Sequence, residues 1–214
     1  MTCWGYRKAA GAGLVLFVAL ASASCGDVVR QGRSPAYLVI DNLMGASGAE
    51  PDDFDHTLDS DVVTNIKVTE GENTYFAETF YEDRGELEAH IVLKDPGTPG
   101  SPTQPSEANQ ITINRYHVRF VRADGRNTPG VDVPYEFDGA ATATFGPSGA
   151  RLSFVLVRAQ AKREAPLLAL RRMGGAQLIS TIAEVTFYGQ DQAGNAVKAT
   201  GQIGVNFADW ADPE

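Results

Sequence analysis

The densest grouping of one chemistry in this 214-residue chain is carboxylate. Between Ser34 and Ile66 there is no Lys or Arg, while Asp41, Glu50, Asp52, Asp53, Asp55, Asp59 and Asp61 all occur. Hard cations such as calcium take about six to eight oxygen ligands. The run DDFDHTLDSD therefore offers a candidate calcium site in Asp52, Asp53, Asp55, Asp59 and Asp61. EF-hand spacing is absent: counted from Asp53, the Gly and the Glu that such a loop needs are replaced by Leu58 and Thr64. Two expectations follow, a calcium-dependent glycan or ligand binder, or a plain solvated acidic loop.

The opposite charge gathers further along. Arg151, Arg158, Lys162, Arg163, Arg171 and Arg172 stand against the single acid Glu164. Arg158, Lys162, Arg163, Arg171 and Arg172 are thus candidates for meeting an acidic partner, an acidic polymer or anionic headgroups. Arg115 and Arg119 share strand parity with His117 and extend that candidate surface. The alternative is neutralisation within the chain.

Catalytic constellations are scarce. The three histidines, His56, His90 and His117, lie on different segments. No G-x-S-x-G elbow occurs, since Gly45-Ala46-Ser47-Gly48 has the wrong spacing. There is no H-E-x-x-H, P-loop or dinucleotide fingerprint beyond the leader. The expectation is a non-enzyme with no cofactor unless calcium; a hydrolase ranks below both binding readings, since triads assemble in space. A formal net charge of -9 argues against a nucleic-acid partner.

The most informative residue is Cys25. Only Cys3 and Cys25 occur, so no disulfide framework or cysteine-ligated zinc can form later in the chain. Arg7 and Lys8 precede an apolar run at 14–21, and small residues Ser22, Ala23 and Ser24 follow. This order is that of an export signal, and the run is too short for a spanning helix, which needs about 20 residues. The segment Leu20-Ala21-Ser22-Ala23-Ser24-Cys25 resembles the lipobox of bacterial lipoproteins, with Ser22 where that family usually has Leu. The resemblance implies a signal peptide at 1–24, a lipid on Cys25 as first mature residue, and a tether at 25–34. It implies an extracytoplasmic, membrane-anchored lipoprotein of the cell envelope, with an envelope protein or glycan as partner. Gly26 after the cysteine, where inner-membrane lipoproteins often carry Asp, favours the outer membrane if the host has one. An ordinary signal-peptidase cut, giving a secreted protein, stays open.

Behind these residues the chain must supply a scaffold. Its 22 glycines and 11 prolines suit many short strands joined by turns. Strand chemistry occurs at 36–43, 61–69, 74–81, 86–94, 111–122, 152–157, 178–188 and 196–207. Residues 131–145 read as two short strands broken near Asp138-Gly139. In 111–122 the apolar parity changes from Ile111 and Ile113 to Tyr116, Val118 and Phe120, which predicts a bulge near Asn114. Residues 160–173 are the one helix candidate, interrupted by Pro166 and stopped by Gly174-Gly175. Pro96, Pro99, Pro102 and Pro105 sit three apart, as a polyproline II docking strip or a long hairpin loop. The predicted fold is one all-β domain over 35–214, an antiparallel β-sandwich of immunoglobulin-like architecture with at most one short helix.

Overall fold

The computed structural model describes residues 32–210. The leader at 1–24 and Cys25 lie outside them, as does most of the tether. Thirteen strands are described: β1 (Ala36–Ala46), β2 (Thr57–Asp61), β3 (Thr64–Glu70), β4 (Asn73–Thr79), β5 (Asp83–Leu93), β6 (Gly97–Thr98), β7 (Ser101–Pro102), β8 (Ile111–Val121), β9 (Phe137–Gly139), β10 (Ala143–Phe145), β11 (Ala150–Val157), β12 (Ile179–Asp191) and β13 (Ala196–Ala208). One short α-helix, α1 (Ala159–Lys162), and two 3-10 turns, Glu107–Asn109 and Leu167–Leu170, complete the described elements.

Two sheets face each other. The first has order β1-β5-β11, and the second has order β10-β8-β12-β13-β2, with β9 also on β8. All pairs in both sheets are antiparallel except β13 with β2, which is parallel. The fold is therefore the all-β sandwich, built almost wholly of antiparallel pairs, that the strand pattern predicts. Alternation explains its core: Leu87, Ala89 and Ile91 of β5 point inward against Ala183, Val185 and Phe187 of β12 and Ile203, Val205 and Phe207 of β13. Phe154 of β11 bridges the layers, edge-on to Phe187 at 5.3 Å and 5.1 Å from Tyr116 of β8. The Val155 amide donates to the Tyr116 hydroxyl oxygen at 3.2 Å, which ties the sheets together.

The parity change in β8 is a bulge. Arg115 pairs with Tyr188 and Ile113 with Gly189, so Asn114 is the extra residue. This insertion lets Ile111 and Ile113 on one side, and Tyr116, Val118 and Phe120 on the other, all reach the core. A Cβ on Gly189 would stand 2.1 Å from the Thr112 carbonyl oxygen, so only glycine fits opposite the bulge.

The helix candidate at 160–173 is interrupted at Pro166 as its sequence predicts, with α1 before it and the Leu167–Leu170 turn after it. Two expectations are corrected. The proline-spaced segment is not a hairpin loop, because it carries the chain from β5 in one sheet to β8 in the other. It contains the two-residue ladder β6–β7. Finally β2, made of TLDSD, is a strand inside what reads as an acidic loop; its alignment with β13 supplies the pairing its composition does not suggest.

Candidate functional site

The five candidate calcium ligands are not brought together. Asp52 and Asp53 are exposed in the turns after β1, and the Asp55 carboxylate accepts from the His56 amide at 2.6 Å. Strand β2 sends Asp59 outward, where it accepts from the Asn206 side chain at 2.9 Å. Asp61 is turned inward, accepting from the Thr64 hydroxyl at 2.6 Å and the Trp210 amide at 3.0 Å. Among the described residues no group of three His, Cys, Asp or Glu side chains could hold a metal ion. Alternation alone would put Asp59 and Asp61 on one face; Asp61, at the end of β2, instead turns inward to Thr64 and the Trp210 amide.

The basic stretch is spent within the chain. Lys162 is not a surface residue: it is 1% exposed, and its ammonium donates to Asp83 at 2.6 Å. Asp83 is itself fully buried and also accepts from the Ser60 hydroxyl at 2.6 Å and the Gly48 amide at 2.8 Å. Burial pushes the Asp83 carboxyl up, while the Lys162 ammonium and these hydrogen bonds pull against that rise. Arg158 stacks over Phe137 at 4.3 Å and Arg163 over Phe80 at 5.0 Å. Arg171 and Arg172 both pair with Glu78 at the end of β4. Burial opposes the charge on Glu78, but the two guanidinium groups outweigh it and hold the carboxyl below its usual range. Neutralisation within the chain therefore occurs, against Glu78 and Asp83 rather than the acidic loop.

The histidines lie apart. His56 is exposed just before β2. His117 faces Glu136 at 3.6 Å and Asp138 at 3.4 Å on the outer face of the larger sheet. Arg115 and Arg119 of that face pair with Asp138 and Glu184, each at 3.3 Å. His90 contacts Asp41 through Nδ1 at 2.8 Å on the outer face of the smaller sheet. Ser148 shares a shallow depression with Asp41, whose carboxylate is the side-chain partner of His90. A nucleophile joined to its base, the geometry such a site is recognised by, is absent among the described residues.

A concavity that the sequence does not single out lies elsewhere. A cleft of about 560 Å³ opens at the end of the sandwich where the chain enters the fold. Its size suits a small molecule. Tyr37 at the start of β1 and Lys94 just beyond β5 form one wall, while Arg115, Tyr188 and Lys198 come from the larger sheet. The Lys94 ammonium sits 4.9 Å over the Tyr37 ring and donates to the Gly32 carbonyl at 2.8 Å. The Arg115 guanidinium lies 4.2 Å over the Tyr188 ring. Among the described residues no acidic side chain lines the cleft, in a chain whose formal charge is -9. The Asn114 bulge and Gly189 sit in its wall, so the irregularity in β8 shapes it.

The tether end is fixed beside the cleft. Ser34 is buried and hydrogen-bonds Asp191, whose carboxylate also accepts from the Ala193 and Asn195 amides at 3.0 and 2.8 Å. Burial alone would push the Asp191 carboxyl up; these donors outweigh it, and the net shift is downward. The signal available in the sequence was modest: aromatic and cationic residues at outward positions near several strand ends, scattered from Tyr37 to Lys198.

Compared with known proteins, the chain matches no family model, and neither a curated protein nor a solved structure is similar to it. Among the described residues, no helix is long and apolar enough to cross a membrane.

Proposed function

We propose that this chain is an extracytoplasmic binding or assembly module of the cell envelope, anchored through a lipid on Cys25. The observation that carries the reading is the segment Leu20-Ala21-Ser22-Ala23-Ser24-Cys25, set between a basic, apolar leader and the folded sandwich. Lipidation supplies the reason for the lone cysteine at that position. A single acyl chain holds a protein only marginally, at ~0.8 kcal/mol per buried methylene, and two or more anchor it stably. The stretch from Cys25 to Gly32 spans at most ~25 Å when fully extended, so an anchored domain stays close to the bilayer. The separated histidines and dispersed carboxylates favour binding over hydrolysis, and no observation favours the calcium-dependent reading.

Fractionation of cells producing the wild-type chain and Cys25→Ala tests this. The wild-type protein should sediment with membranes and need detergent for release, whereas Cys25→Ala should become soluble. Equal distribution of the two overturns the anchoring.

A further inference from the structure

The cleft at the tether end combines features that the binding-module reading does not by itself require. Three cations, Lys94, Arg115 and Lys198, converge from both sheets on a space lined, among the described residues, by no acid. Two of them are held in place: Lys94 over Tyr37 and on the Gly32 carbonyl, Arg115 over Tyr188. Arg115 also meets Asp138 at 3.3 Å, outside the cleft lining, which leaves part of its fork of donors for a ligand. Lys198 is exposed at the rim. A guanidinium pairs two oxygens of a phosphate at once, and an ammonium adds a point charge. Tyr37 and Tyr188 add flat apolar walls on which a glycerol or sugar moiety can rest. Asn114, left out of the strand ladder by the bulge, lines the same space.

We infer that this cleft binds a phosphate ester carried on a glycerol or sugar unit, with Arg115 and Lys198 on the phosphate and Tyr37 and Tyr188 against the carbon skeleton. The ester can come from an anionic lipid headgroup or from a free phosphorylated small molecule. The proposal deepens the binding-module reading by naming the ligand chemistry. Its test needs no anchor, because Cys25→Ala protein reports on the cleft alone.

The experiment titrates Cys25→Ala protein with glycerol 3-phosphate, and separately with vesicles of phosphatidylcholine with and without phosphatidylglycerol. Arg115→Gln and Lys198→Gln should each weaken binding by about fivefold or more, the effect of one cation at an anionic surface. Lys67→Gln, on exposed β3 and outside the cleft, is the matched charge control and should change nothing. Both cleft variants are checked by thermal melting, and Lys198→Gln, at an exposed position, should melt with the wild type. Binding to phosphatidylglycerol vesicles that glycerol 3-phosphate displaces supports the cleft and assigns a lipid source. Binding of glycerol 3-phosphate without vesicle binding supports the cleft and assigns a soluble source. Binding of neither probe, or equal weakening by Lys67→Gln, overturns the proposal. Loss of the anchor in fractionation, with the cleft variants behaving as stated, would sink only the anchoring reading.

Discussion

Lys162 and Asp83, far apart in the chain, meet at 2.6 Å with both side chains sealed from solvent. The pair fastens α1, beyond the end of β11, onto the start of β5. Ser60 of β2 and the Gly48 amide converge on the same carboxylate, so four separate segments share one buried charge.

Removing the cation alone strands a buried carboxylate. Lys162→Met should therefore destabilise the fold by about 3 kcal/mol or more in urea unfolding, in line with the cost of breaking a buried pair. The double variant Lys162→Met/Asp83→Asn should lose less than the sum of the single variants, because the residues are coupled. A loss below about 1 kcal/mol for Lys162→Met would mean that water reaches the pair.

The bulge in β8 gives a sharper structural test. Deleting Asn114 gives Ile111 and Ile113 the same parity as Tyr116, Val118 and Phe120 in an unbulged strand, so the variant should keep cooperative folding. Asn114→Ala keeps the residue count and should cost under about 1 kcal/mol, as exposed substitutions do. Gly189→Ala drives a methyl into the β8 backbone and should cost about 1–3 kcal/mol, the range for overpacking. If the deletion variant fails to fold cooperatively, the register across β8 and β12 is wrong.

That bulge is also where sequence and structure agree best. The parity switch between Ile113 and Tyr116 is written in adjacent residues, and one core has to bury both sets. Strand β2 is the opposite case. Its TLDSD composition offers one apolar residue, Leu58, and its strand state depends on β13, which lies near the other end of the chain. The Lys162–Asp83 pair is hidden for the same reason, since a lysine in a basic stretch gives no local sign of its partner. The cleft lies between these cases: its residues are visible at strand ends, but only the packing of two sheets brings Tyr37 and Lys94 opposite Arg115 and Tyr188. The acids of the acidic run end apart because Asp52 and Asp53 stay exposed before β2 while Asp61 is drawn inward by Thr64 and the Trp210 amide.

Asp191 links the hairpin of β12 and β13 to Ser34 and should give acid sensitivity. Its carboxyl lies below its unfolded value of about 3.9, so the stabilisation is complete above that value and is lost as pH falls toward the folded one. Asp191→Ala should cost about 2 kcal/mol at pH 7, the scale of losing several hydrogen bonds to a buried carboxylate. The gap between wild type and variant should narrow as pH drops below about 4. A gap that stays constant from pH 7 to pH 2.5 would show that the charge of Asp191 plays no part.

The β3–β4 hairpin stands off the two main sheets, and an isolated two-stranded hairpin is marginal alone. Its end is held by Glu78 against Arg171 and Arg172. Glu78→Ala should raise amide exchange across Thr64–Thr79 while leaving protection in β8 and β12 unchanged. Unaltered exchange in the hairpin would assign its order to other contacts.

The central claim concerns Cys25, and intact-mass spectrometry of the mature protein purified from membranes tests it most directly. The expected species begins at Cys25 and carries the added mass of a diacylglyceryl group, with or without a further acyl chain on the new amine. A chain that still carries residues 1–24, or one cut elsewhere with an unmodified cysteine, would contradict the claim.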